Sequence, residues 1–309
     1  MHYKLIPNTA AKSLSARIKN KIYREFIINP ARRKTTGKLI EAIPPFPDTS
    51  EQDFSIHTLI GSNYVEMAIA GYKVFNYVCG ENFKITLHDD GTLTANDHTR
   101  LKHHLNCKII SRKEADEQAA EALKYLPGLS AFRSSQVMAL KFIDVKLFCT
   151  GYRNAYIDVD ILFFRHPDFF LKSLKDQTEQ KNYFNKDIDN AYISSMSEIY
   201  NASGLLPLER ANAGLWVINA KDINLERAEA WINSDYFQQY KTSYRLEQTF
   251  ISMLANNSEK GAAHLPSGYD VDLFKKPEDA VCKHYVGQIR HGFELEGLQY
   301  ILDNISSDH

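Results

Sequence analysis

Tyr156-Ile157-Asp158-Val159-Asp160-Ile161-Leu162-Phe163-Phe164 is an apolar run interrupted by two carboxylates one residue apart. In an extended chain, side chains alternate with period two, so Asp158 and Asp160 point to the same side. Two like charges that close, set among Ile, Leu and Phe, do not both stay ionised unless a cation joins them. A divalent ion shared between the carboxylates and a diphosphate removes that conflict, and Mg2+ or Mn2+ is the usual hard ion for oxygen ligands. The alternative reading is a pair of acids at a strand end that cap the next turn or pair with Arg165.

Outward from this run the pattern alternates. Strands are expected at 55–60, 83–88, 107–110 and 154–159, with helices at 62–77, 94–105, 113–125 and 135–149. Further on, 213–218 reads as a buried strand, 225–232, 246–255 and 297–305 as helices, and 283–286 as a short strand or loop. Strand and helix in turn argue for an α/β fold with a mainly parallel central sheet flanked by helices. In open sheets of this kind ligands sit beyond the carboxyl ends of the strands. Asp158 and Asp160 fall there, and so does the turn Asp89-Asp90-Gly91-Thr92. Residues 283–290 read Lys-His-Tyr-Val-Gly-Gln-Ile-Arg. In that segment His284 can offer an imidazole to the same ion, Gly287 permits close backbone approach to phosphate, and Arg290 can fork onto phosphate oxygens.

Composition bounds the rest. A chain of 309 residues suits one large α/β domain with an appendage, or two small domains. The net charge of -1 gives no reason to expect a nucleic-acid partner. That balance hides a basic start: residues 1–40 hold ten Lys or Arg and a single acid, Glu25. Leu14, Ile18, Ile22 and Phe26 recur there at four-residue spacing, as in a short amphipathic helix. Such a helix either lies on an anionic membrane or a partner, or packs its stripe on the protein's own body. Residues 43–50 (IPPFPDTS) read as a linker, so we divide the chain into an extension, 1–50, and a main domain, 51–309. No apolar run approaches the roughly 20 residues that span a bilayer. The four cysteines form no CxxC pair, and the N-terminus lacks the apolar stretch of a signal peptide. A cytoplasmic protein is expected, at most peripheral on the inner face of a membrane.

The succession of DxD, Asn212-Ala213-Gly214, Glu247-Gln248 and HxxGxxR resembles the GT-A glycosyltransferases. In motif order it is most similar to the glycogenin-like and lipopolysaccharide galactosyltransferase-like family. The resemblance runs from about residue 55 to residue 292. It implies a GT-A fold and a transfer of sugar from a nucleotide-sugar donor, UDP-sugar favoured, to a glycan, lipid-linked or protein acceptor, weighted towards retention. It further implies Asp158, Asp160 and His284 as ligands of Mn2+ or Mg2+, with Arg290 as the phosphate-binding cation. By the same resemblance Lys141 contacts the donor and Asn212 stands near the donor sugar. Glu247 and Gln248 meet the transferred sugar, and Asp89 and Asp90 resemble an acidic turn that reads uracil or ribose. The chain departs from the family where KPW is usual, having Arg290-His291-Gly292. In its first strand, 57–64, only Asn63-Tyr64 of the usual pattern is kept.

Two other readings stay open at this point. One is a GT-A-like binding protein without activity. The other is a phosphatase of the haloacid dehalogenase type, whose signature Asp158-Val159-Asp160-Ile161-Leu162 approaches and His88-Asp89-Asp90-Gly91-Thr92-Leu93 mimics. His103-His104 is read as a solvated pair, Trp216 as core, and the aromatic stretch 236–244 as core, lid or sugar platform.

Overall fold

The computed structural model describes residues 24–44, 52–287 and 289–305. Leu14, Ile18 and Ile22 of the basic stripe, and most of the linker, lie outside the described residues, while Phe26 is described and exposed. Among the described residues the centre is a seven-stranded sheet in the order β3-β2-β1-β4-β7-β6-β8. These strands are β1 (Phe54–Ile60), β2 (Ile85–Asp89), β3 (Cys107–Ile110), β4 (Arg153–Ile157), β6 (Asn182–Lys186), β7 (Ala211–Asn219) and β8 (Ala262–His264). Pairs β3-β2, β2-β1, β1-β4 and β6-β8 are parallel, and within this sheet β7 runs against both of its neighbours. The expected mainly parallel sheet flanked by helices is the one observed.

Alternation explains why both faces are covered. On β4, Tyr156 faces one apolar cluster while Ala155 and Ile157 face the other. On β7, Ala211 and Ala213 share a face with Trp216 and Ile218, so the phase slips between 213 and 216. The slip coincides with an irregularity opposite Phe184 and Asn185 of β6. Irregularities of this kind re-aim side chains next to active sites, and Asn212-Ala213-Gly214 sits on this one. The helix Val65–Cys79 covers one face, ended by Gly80 in the left-handed conformation (φ 66°). The helix Arg245–Asn256 covers the other with Leu246, Phe250, Ile251 and Leu254. A third cluster joins the two ends of the described chain. Leu39 and Ile43 pack with Val74, Phe293, Leu298 and Ile301, and Arg32 donates to both oxygens of Glu294 at 2.9 Å.

Two sequence expectations need correcting. The strand expected at 154–159 ends at Ile157, and Asp158 to Asp160 form a turn in which Ile161 N donates to Asp158 O at 3.1 Å. The single helix expected at 135–149 is instead two pieces, a tight turn Val137–Lys141 and helix Ile143–Phe148, while helix Pro127–Ser135 ends where the single helix was expected to begin. Gln136 is extended (φ -129°, ψ 111°) and breaks the run. The bend is held by a buried bidentate pair, with Arg133 Nε and Nη2 on Asp144 at 2.6 and 2.9 Å.

Candidate functional site

β4 delivers Asp158 to the carboxyl edge of the sheet, and a second, two-stranded ribbon brings the remaining groups to it. β5 (Ile161–Phe163) starts directly after Asp160 and pairs antiparallel with β9 (Cys282–His284), with Ile161 opposite His284. Tyr285 N donates to Asp160 O at 2.8 Å, locking this register. The consequence is local: Asp158, Asp160 and His284 each offer a ligand atom within 4.8 Å of the others. The turn and the ribbon, rather than strand alternation, make the cluster.

Hydrogen bonds fix which nitrogen His284 presents. Asn212 Oδ1 accepts from Gly214 N at 2.9 Å and lies 3.1 Å from His284 Nδ1, while Asn212 Nδ2 donates to Asp187 Oδ2 at 2.8 Å. The amide orientation assigned by these partners makes Nδ1 the donor, leaving Nε2 on Asp160 Oδ1 at 3.1 Å. Gly214 is what allows this packing. A Cβ there would overlap His284 Cε1 and stand 2.8 Å from both His284 Nδ1 and Asn212 Oδ1.

Two cations flank the carboxylates. Lys141 Nζ lies 3.0 Å from Asp158 Oδ2 and 4.8 Å from the centre of the Tyr156 ring. Burial lowers its pKa, but Asp158 and Glu247 outweigh that and hold the ammonium above its ordinary value. Arg290 donates to Asp160 Oδ2 from Nε at 2.9 Å, with Nη2 2.8 Å from the same oxygen, and to the Tyr64 hydroxyl from Nη1 at 3.2 Å. Burial alone would raise the Asp160 pKa, yet His284 and Arg290 pull it well below the usual carboxylate range. Burial likewise lowers the His284 pKa, and Asp160 and Asp158 reverse the shift to leave it raised. Two carboxylates and an imidazole this close together suit a divalent cation.

The other expected residues are placed as follows. Glu247 is buried beside this cluster, its pKa pushed up to about 8 by burial first and by Asp158, against the pull of Lys141. Its Oε1 has no hydrogen-bond partner among the described residues. Gln248 turns the other way, accepting from Ala213 N at 3.1 Å and donating to Ala191 O at 3.1 Å. Asp89 and Asp90 stand at the end of β2, on the β1 side of the cluster, and brace their own turn. Asp89 Oδ1 accepts from Gly91 N at 2.8 Å, and Asp90 Oδ1 from Thr92 N at 2.9 Å. Gly287 is exposed in the loop between His284 and Arg290. Arg165 does not pair with the two acids: its Nε donates to Ala280 O at 3.0 Å. His103 is exposed and Trp216 is buried, stacked on Tyr156 at 5.6 Å.

Sequence reasoning missed Tyr156 and Asp187. The Tyr156 hydroxyl donates to Asp158 Oδ1 at 2.9 Å and accepts from Leu59 N at 3.2 Å. Its position two residues before Asp158 was the available signal. Asp187 had none, because it meets Asn212 only through the pairing of β6 with β7.

No protein-family model and no curated protein matches this sequence. Solved structures are similar to it. Mouse xyloside xylosyltransferase 1, in its apo form, is 11% identical over 77% of this chain and 99% of its own, with a TM-score of 0.49. An active-site mutant of LgtC is 16% identical over 75% and 87%, with a TM-score of 0.46. Core-mannan synthase A of Aspergillus fumigatus, in a Mn/GDP form, is 12% identical over 80% and 88%, with a TM-score of 0.44.

Proposed function

We propose that this chain is a metal-dependent GT-A glycosyltransferase that takes its sugar from a nucleoside diphosphate sugar, with UDP-sugars favoured. One observation carries the reading. Asp158, Asp160 and His284 converge between the cations Lys141 and Arg290, at the carboxyl edge of a mainly parallel sheet.

Transfer breaks the bond from the anomeric carbon to the diphosphate, so negative charge builds on the leaving group and positive charge on the sugar. A bound Mn2+ or Mg2+ would supply Lewis-acid stabilisation of that leaving group. Lys141 and Arg290 add preorganised positive charge to the same oxygens. Tyr156 and Lys141 orient Asp158, and Asn212 sets the tautomer of His284. Glu247 is the member of its pair left free to face the sugar, while Gln248 holds the Ala213 backbone. Retention is the outcome we adopt, on the resemblance to the glycogenin-like family. Asp89 and Asp90 place the nucleoside on the β1–β2 side.

A cleft of about 360 Å³ between the end of β6 and the 270–275 loop, lined by Asp187, Arg210 and Phe274, is where we place a glycan, lipid-linked or protein acceptor. Among the described residues no helix is long and apolar enough to cross a membrane. Residues 1–40 supply the positive charge for peripheral contact with an anionic membrane surface. The phosphatase reading loses its second motif copy, since His88 is buried and bonded to His57 at 2.9 Å. Retention of every expected metal ligand argues against an inactive binding protein.

Thermal melting against UDP and GDP, each with and without Mn2+, tests the proposal. A hundredfold excess over the dissociation constant stabilises by about 2.7 kcal/mol. A Mn2+-dependent rise with one nucleotide is expected, and Asp160→Ala should abolish Mn2+-stimulated donor hydrolysis in a folded protein. No Mn2+-dependent shift with either nucleotide, or an active Asp160→Ala, would overturn it.

A further inference from the structure

Each oxygen of the two carboxylates already has a partner within the chain. Asp158 Oδ1 accepts from the Tyr156 hydroxyl and Oδ2 from Lys141 Nζ. Asp160 Oδ1 faces His284 Nε2, and Oδ2 accepts from Arg290 Nε with Nη2 2.8 Å away. A cation that binds these oxygens competes with those donors, and the donors differ in how easily they leave. Tyr156 is buried and tied to Leu59 N. The Lys141 side chain is only 7% exposed. His284 is wedged against Gly214 and held by Asn212. Arg290 differs: its side chain is 37% exposed, and it stands on the loop that follows β9.

Charge points the same way. Two carboxylates meet one ammonium and one guanidinium, with His284 on Asp160 besides, so the cluster holds no unmet negative charge. A divalent ion alone adds two positive charges with nothing to offset them. A diphosphate brings the compensating negative charge, together with oxygens that match the guanidinium fork.

We propose that Arg290 reserves the cation site for an ion paired with a diphosphate. It holds Asp160 against a free divalent ion and transfers to the diphosphate when both arrive. This rests on the reading of the site as one for a divalent ion and a nucleoside diphosphate. Arg290 is then a specificity-determining residue as well as a phosphate ligand. The coupling is reciprocal: UDP raises the affinity for Mn2+ by the same factor as Mn2+ raises that for UDP, about 5- to 150-fold for typical couplings.

The test is a titration of free Mn2+ by electron paramagnetic resonance on the full chain, with and without UDP, for wild type and Arg290→Gln. Melting and circular dichroism confirm the fold. Wild type should bind Mn2+ weakly alone and at least tenfold tighter with UDP. Arg290→Gln should bind Mn2+ alone at least fivefold tighter than wild type while losing affinity for UDP. A residue that only contacts phosphate would lose UDP affinity without gaining any for Mn2+ alone, and that result overturns the proposal. Should Arg290→Gln not fold, Arg290→Lys carries the test, with a smaller gain of about threefold expected and no gain refuting. If wild type binds Mn2+ tightly with UDP but the variants gain nothing alone, only the role of Arg290 fails. If wild type binds no Mn2+ even with UDP, the reading of the whole site falls with it.

Discussion

Gly214→Ala probes the centre without touching a charged group. Gly214 is not among the glycines with positive φ, so alanine meets no backbone penalty and the effect is steric. Its Cβ would overlap His284 Cε1 and lie 2.8 Å from His284 Nδ1 and Asn212 Oδ1, where carbon contacts normally settle at about 3.5–4.0 Å. The ring must therefore retreat by about 1 Å, beyond the tolerance of about 0.5 Å that a functional constellation allows. His284 Nε2 then loses its place 3.1 Å from Asp160 Oδ1, and Nδ1 its bond to Asn212. Overpacking of this kind costs about 1–3 kcal/mol of stability, and loss of a supporting partner weakens metal binding about 10- to 100-fold. Mn2+ titration in the presence of UDP, alongside a thermal melt, reads both quantities. A folded Gly214→Ala that binds Mn2+ as wild type does would refute the packing argument and the tautomer assigned to His284.

Two further substitutions test the electrostatics. Burial, reinforced by Asp158 and opposed by Lys141, pushes the Glu247 carboxyl up to about 8. A carboxyl raised above its unfolded value contributes stability at low pH that is lost as pH rises through the folded value. Glu247→Gln cannot ionise, so its advantage over wild type should grow between about pH 5 and pH 8, reach on the order of 5 kcal/mol, and level off above. Parallel stability curves for the two proteins across that range would count against a protonated Glu247. Lys141→Met leaves Asp158 without its buried cation, at a cost of about 2–3 kcal/mol by urea denaturation, partly restored by Mn2+ with UDP. Unchanged stability would show that the pair contributes nothing.

The fold and the site were legible to different extents, for physical reasons. The strand Cys107–Ile110 and the helix Leu225–Ile232 occur where the pattern puts them, and the helix buries one coherent face with Leu225, Ala228, Trp231 and Ile232. The strand Asn182–Lys186 escapes such a reading. Asn182 and Asn185 are buried polar groups whose partners are remote, as when Asn182 Nδ2 reaches Asp222 and Ala255 O. The helices Asp168–Lys175 and Met196–Ser203 also lay outside the sequence reading. At the site, the carboxylates and His284 announce themselves by type and order. What selects Glu247 over Gln248 is a pair of backbone bonds to Ala213 and Ala191, which no local pattern contains.

The β5–β9 ribbon has a consequence for how this protein reaches its working form. It joins the Asp160 turn to a segment well over a hundred residues later, and Arg290 reaches Asp160 across 130 positions. Closing a loop of that length costs about 4 kcal/mol of chain entropy beyond a constant, from 3/2 RT ln n. The parallel pairs β1-β2 and β2-β3 close far shorter loops and can form first. The centre therefore depends on a chain closure as demanding as the one that pairs β1 with β4, and it is complete only when β9 docks on β5.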